Sequence, residues 1–214
     1  MATRGLQRGV DSNTLGAMWF LFLAMSALGG EPPHFEPLHC EGGCSFARSS
    51  PQADGFPILR AECLWPELAP EQLHRLLGGW GGHQAIWSMV QSSRIVEEHE
   101  DGALVVHVHT APMMVDREIL LRMWSEEVDG GRVFRWTRAE PQPAPQEGRV
   151  GVERDDGVYT VLREGEGVRL ISTLHYDPGG SIPDALVRWF QVLGMPRFLE
   201  ELRVAAGAEA SSSD

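Results

Sequence analysis

No lysine occurs anywhere in the 214 residues; all 18 basic side chains are arginine. That excludes a Schiff-base lysine, a phosphate-loop lysine and a lysine general base. The arginines are scattered singly in a chain of net charge −12. Neutralising a phosphate backbone needs clustered cations, so nucleic acid is excluded as a partner. Cysteine is scarce: Cys40, Cys44 and Cys63. One pair can bridge and one thiol is left over, and the Cys40-x3-Cys44 spacing fits neither a zinc ribbon nor haem attachment. There is no G-x-S-x-G nucleophile elbow and no H-E-x-x-H metal helix. The longest apolar run, Leu15–Leu28, has 14 residues, short of the ~20 that span a bilayer.

What is present is the composition of a folded chain, 43% hydrophobic and 22% charged. The length suits one domain with appendages. Arg4 and Arg8 precede the apolar run, and small residues, Ala27 and Gly29, follow it. This is the pattern of a secretory signal peptide; an uncleaved anchor and a buried core helix are the alternatives. Residues 1–30 are therefore read as signal peptide or N-terminal anchor, 31–43 as a Pro/Gly-rich linker, 44–204 as the folded domain and 205–214 as a disordered tail. The protein is expected in an exported compartment, periplasmic or secreted, or held at a membrane by the apolar segment.

Within the domain, Cys44–Arg48 and Phe56–Leu64 alternate around the turn residues Pro51–Gly55 and predict a hairpin. Pro70 opens a helix carrying Leu73, Leu76 and Leu77, stopped by Gly78-Gly79; a short helix is expected around His83–Val90. From Ser92 the period changes to two. Ser93–Glu98 and Ala103–Thr110 join at Asp101-Gly102, and Arg117–Glu126 joins Arg132–Arg138 at Asp129-Gly130-Gly131. Gly148–Arg154 is read as joining Val158–Arg163 through Asp155-Asp156-Gly157, with Val168–Tyr176 next. Asp-Gly between alternating runs is the strongest short hairpin signal, and strands linked by tight turns make an antiparallel meander. Ser181 and Asp184 form a helix-start box. The apolar stripe Leu186, Val187, Phe190, Leu193, Phe198, Leu202 makes the last element a helix, kinked at Pro196. The fold class is α+β: a curved antiparallel sheet wrapped around a long C-terminal helix.

Four stretches resemble the START domain, the lipid-transfer module related to the steroidogenic acute regulatory protein, in its bacterial form. They are Phe56–Leu77, Trp87–Glu97 (WSMVQSSRIVE), Ala111–Arg122 (APMMVDREILLR) and Pro145–Arg203, the last with Asp177–Phe190 (DPGGSIPDALVRWF). The family's usual Arg-Asp is Arg117-Glu118 here. The resemblance implies a helix-grip fold whose internal tunnel holds one lipid or other apolar molecule, without covalent chemistry. No cofactor is implied, and a monomer with transient membrane contact is expected. A polyketide cyclase-like enzyme using the same cavity, and an interaction protein with a filled core, remain alternatives.

Asp155-Asp156 is read as a turn and Glu126-Glu127 as a strand end pointing to two faces, so no catalytic residue is assigned. His107 and His109 share a strand face. The Asp101-Gly102 turn puts Arg94 opposite His107 and leaves His99 at the turn, roughly 25 Å away at ~3.3 Å per residue, so no metal is assigned. The pair is read first as part of a polar strand face, second as a cavity lining. Arg117 and Arg122, five apart, point to opposite faces. The resemblance implies a charged group at the ligand's polar end, and Arg122 is taken as that guanidinium; an exposed arginine beside Trp124 is the alternative. The remaining ligand-binding candidates are Trp87, Trp124, Trp136, Tyr176, Leu186, Phe190 and Leu193. Met113-Met114 is a candidate gate.

Overall fold

The computed structural model describes residues 33–112, 114–182 and 194–211; the described residues from Phe35 onward fall in one unit. Its strands are β1 (Phe35–Glu41), β2 (Cys44–Pro51), β3 (Pro57–Trp65), β4 (Val90–His99), β5 (Gly102–His109), β6 (Arg117–Val128), β7 (Gly131–Arg138), β8 (Val150–Gly151), β9 (Arg154–Glu164) and β10 (Gly167–Asp177). The helices are α1 (Pro70–Gly78) and α2 (Met195–Ser211), with a 3-10 turn at His83–Ala85. The strands form one curved sheet in the order β1-β2-β3-β10-β9-β7-β6-β5-β4, while β8 pairs in parallel with β6. Every other pairing is antiparallel.

The meander follows the alternation of the sequence. In β6, Arg117, Ile119, Leu121 and Met123 are buried on one face while Arg122 is exposed on the other. α1 starts at Pro70, where a missing N–H loses nothing, and Gln72 accepts from the Ala69 amide at 2.6 Å. Leu73 and Leu77 of α1 meet Leu199, Leu202 and Ala206 of α2 over the sheet, beside Trp65, Phe134, Val161 and Leu170. Burial of this layer, at ~25 cal/mol per Å² of apolar surface, favours folding.

Three sequence expectations change. Residues 35–41 are strand β1, paired with β2 through Glu41↔Cys44, rather than linker; Pro and Gly density hid an edge strand, where prolines are tolerated. α2 runs to Ser211, so residues 205–211 are helix rather than tail. Asp155-Asp156-Gly157 is not a turn but lies inside β9, with Asp155↔Tyr176, Asp156↔His175 and Gly157↔Leu174. Gly157 is there for space: a Cβ at that position would stand 2.0 Å from Cζ2 of Trp136 on the paired strand β7. The expected stripe Leu186–Leu193 and the Asp184 half of the helix-start box lie outside the described residues, and the expected kink at Pro196 lies at their border.

Cys44 and Cys63 stand opposite each other on β2 and β3 and form a disulfide, leaving Cys40 as an exposed thiol. Among the described residues, no helix is long and apolar enough to cross a membrane.

Candidate functional site: a cavity between sheet and helix

A cavity of about 150 Å³ lies between the inner sheet face and α2. Its apolar wall comes from Leu59 of β3, Leu77 of α1, Leu121 and Met123 of β6, Phe134 and Trp136 of β7, and Met195 and Phe198 of α2. Trp80, Trp87 and Tyr159 add rings; Trp87 and Tyr159 stack at 6.3 Å, and Trp136 lies 5.0 Å from Tyr159. The indole of Trp87 is held by a bond from Nε1 to the Phe198 carbonyl at 3.1 Å, which ties the wall to α2.

One side of this apolar space is polar. His107 and His109 of β5, Arg117 of β6, Asp155 of β9 and Tyr176 of β10 all line it, and His83 lies beside them on the 3-10 turn. Asp155 is buried and its Oδ1 accepts from Trp136 Nε1 at 2.7 Å. Burial, reinforced by neighbouring Asp156 and opposed by the indole bond, pushes its carboxyl up to about 7. Burial lowers His83 and His109 to about 4 and takes His107 well below the ordinary histidine range, with the two neighbouring imidazoles adding to the effect on His107. All three imidazoles are therefore neutral at pH 7. Burial first, then Asp155, also raises Tyr176, whose phenol stays protonated.

His109 Nδ1 is 3.1 Å from the Tyr176 hydroxyl and its Nε2 is 3.5 Å from His107 Nδ1. Asp155 Oδ2 stands 3.9 Å from His109 Nε2, beyond hydrogen-bond length. Arg117 is buried and donates from Nη1 to the Val115 carbonyl, while its Nε has no hydrogen-bond partner among the described residues. Among the described residues, no group of three or more His, Cys, Asp or Glu is arranged to hold a metal.

The structure sorts the sequence candidates. Trp87, Trp136 and Tyr176 line the cavity; Leu186, Phe190 and Leu193 lie outside the described residues. Arg122 does not reach the cavity. Its side chain is 57% exposed, 3.8 Å from Asp101 and over the Trp124 ring at 5.8 Å, and Trp124 shares that outer face. The inward arginine is Arg117. The signal was present in the sequence, since Glu118 and Arg122 put two charges on one parity of β6 and Ile119, Leu121 and Met123 occupy the other. His107 faces Ser93 rather than Arg94, because an irregularity between Ile95 and Glu97 shifts the β4–β5 register by one. The two histidines line the cavity, the second of their two readings. Asp155 and His83 were missed. Met114 lines the cavity, while Met113 lies outside the described residues.

No protein-family model matches the chain. A stretch of 92 residues, 42% of the chain, is 32% identical to an uncharacterised protein of Pseudomonas aeruginosa, and it spans 46% of that protein's length. Among solved structures, a StAR-related lipid transfer protein from Xanthomonas axonopodis superposes with TM-score 0.72 at 19% identity, over 80% of this chain and 98% of that one. Human StAR-related lipid transfer protein 5 superposes with TM-score 0.75 at 17% identity, over 91% and 94%. The chain thus shares its helix-grip fold with the StAR-related lipid transfer protein of Xanthomonas axonopodis and with human StAR-related lipid transfer protein 5.

Proposed function

We propose that the protein binds one lipid or other apolar molecule in the cavity, and carries or presents it across an aqueous compartment. The observation that carries this is the ring-walled hollow between sheet and helix, in a fold shared with proteins described as lipid transfer proteins. Burying apolar surface at ~25 cal/mol per Å² draws in a ligand exposing a few hundred Å². A cavity of about 150 Å³ matches one that admits benzene, so a compact molecule or one slender chain enters first, and anything bulkier must part the walls. The Cys44–Cys63 disulfide and the apolar run near the amino terminus both suit an oxidising, exported compartment. In this reading the protein works as a monomer with transient membrane contact.

Mass spectrometry of organic extracts from the natively purified protein tests the proposal. One class of apolar molecule, approaching one per chain, is the expected result. An empty extract, together with no uptake of an apolar fluorescent probe, overturns it.

One observation favours a second reading, an enzyme of the polyketide-cyclase kind. Asp155, brought to about 7 beside His109 and Tyr176, has the proton affinity that acid–base work at neutral pH needs. Conversion of a captured polyketide that Asp155→Asn abolishes without loss of uptake would establish it.

A further inference from the structure

Among the described residues, two buried ring nitrogens on side chains that line the cavity have no hydrogen-bond partner: Nδ1 of His83 and Nε2 of His107. Their residues are 2% and 4% exposed. Leaving such an atom unmet in the interior is costly, so each needs an explanation. The other nitrogen of each ring fixes what the orphan can do. Nε2 of His83 lies 3.3 Å from the Leu77 carbonyl oxygen, which only accepts. Nε2 therefore carries the proton, and in the neutral ring Nδ1 is a bare acceptor.

A chain of contacts connects Tyr176 to His107: Nδ1 of His109 lies 3.1 Å from the Tyr176 hydroxyl and its Nε2 lies 3.5 Å from Nδ1 of His107. Taken with the phenol as donor, this chain leaves the proton of His107 on Nε2. The relay so formed delivers a donor at His107 and stops. The His83 ring, a bare acceptor, stands beside it in a T-shaped arrangement with centroids 5.4 Å apart. Trp80 and Trp87 flank His83 edge-on at 6.0 and 5.0 Å, which gives its surroundings an apolar, aromatic wall.

We infer that the cavity contains a subsite for one neutral hydroxyl group, which donates to Nδ1 of His83 and accepts from Nε2 of His107. The ligand class is an apolar alcohol or phenol. A hydroxyl is both donor and acceptor, and closes an unbroken chain from Tyr176 through His109, His107 and His83 to the Leu77 carbonyl. A ketone, an ether or an ester offers only acceptors and leaves His83 unmet. This rests on the reading of the cavity as an apolar-ligand site and adds the polar group the ligand must carry.

The test compares three probes of one skeleton by calorimetry on the purified protein: 2-naphthol, 2-methoxynaphthalene and 2-methylnaphthalene. The naphthol is expected to bind at least about tenfold more tightly than either analogue. His83→Phe should cancel that preference while 2-methylnaphthalene still binds. Tyr176→Phe, which removes the relay's first donor, should reduce the preference without abolishing it. If the naphthol and the methyl analogue bind equally to the wild-type protein, the hydroxyl subsite is wrong and a water closes the chain. If the ether matches the naphthol, the direction assigned at His83 is wrong. If none of the three binds, the apolar-cavity reading itself falls. The wild-type comparison decides the matter even if His83→Phe does not fold.

Discussion

Two regions of the same inner sheet face are built on opposite rules. Where α1 and α2 press on the sheet, inward positions are aliphatic and sealed: Leu73, Val161, Leu170, Leu199 and Leu202 are all 1% exposed or less. Around the cavity, strands of the same sheet turn His107, Arg117 and Asp155 inward. Alternation decides which residues point in, and the helix layer decides what an inward residue can be. A packed position rewards shape; a cavity position tolerates polar groups that hold one another or wait for a ligand.

The largest expected effect breaks the packed half. Leu202→Ala removes a fully sealed side chain from the α1–α2 layer and should destabilise by ~2–5 kcal/mol, read by denaturant unfolding, with little change in probe affinity. Equal losses of stability and binding would show that the two regions are one. Next, replacing both Cys44 and Cys63 by serine should cost about 2–4 kcal/mol by freeing the unfolded chain, again leaving the cavity's preferences intact.

Acid should break the cavity half. Each of the three buried histidines binds its proton less readily in the folded chain than at its ordinary 6.5, down to about 4 for His83 and His109. The unfolded chain therefore takes up more protons between pH 6.5 and 4, and stability falls as pH drops through that window. Asp155 runs the other way. Its folded carboxyl keeps the proton to about 7 against an ordinary 3.8, so its contribution is complete below 3.8 and is lost as pH rises through 7. Asp155→Asn keeps an acceptor for Trp136 and removes that loss. The variant should be more stable than the parent at pH 8 by a few kcal/mol and should fall more steeply toward pH 4. Parallel melting curves across pH would contradict the buried acid.

The smallest effect sharpens the contrast between the two faces of β6. Arg122→Met should change stability by no more than about 0.5 kcal/mol and leave ligand binding untouched, whereas Arg117→Met should alter both. Binding loss on Arg122→Met would return the outer arginine to the site.

How far the sequence could be read follows from the same contrast. The strands β4 to β7 and β10 were legible from alternation and Asp-Gly turns, and α1 from its leucine spacing and Pro70. The cavity's polar side was legible only in part. On β5, Ala103 and Val105 share a parity with the two histidines, but Leu104, Val106 and Val108 fill the other. An apolar run on both parities cannot say which side is in. Asp155 was hidden because Asp-Asp-Gly is a strong turn signal and Gly157 serves a different need. His83 is a lone histidine on a short turn, and only the chain's long-range packing brings it to His107.

Gly157 also sets the acidity of a residue two places away. A methyl group there would collide with the Trp136 ring, and a ring driven aside would withdraw the indole proton from Asp155. Losing that donor would raise the carboxyl's proton affinity further, since the bond opposes the upward push of burial. A position without a side chain therefore acts as a tuning screw for the protonation of the cavity, and an alanine there would change the chemistry of the interior while adding only one carbon to the protein.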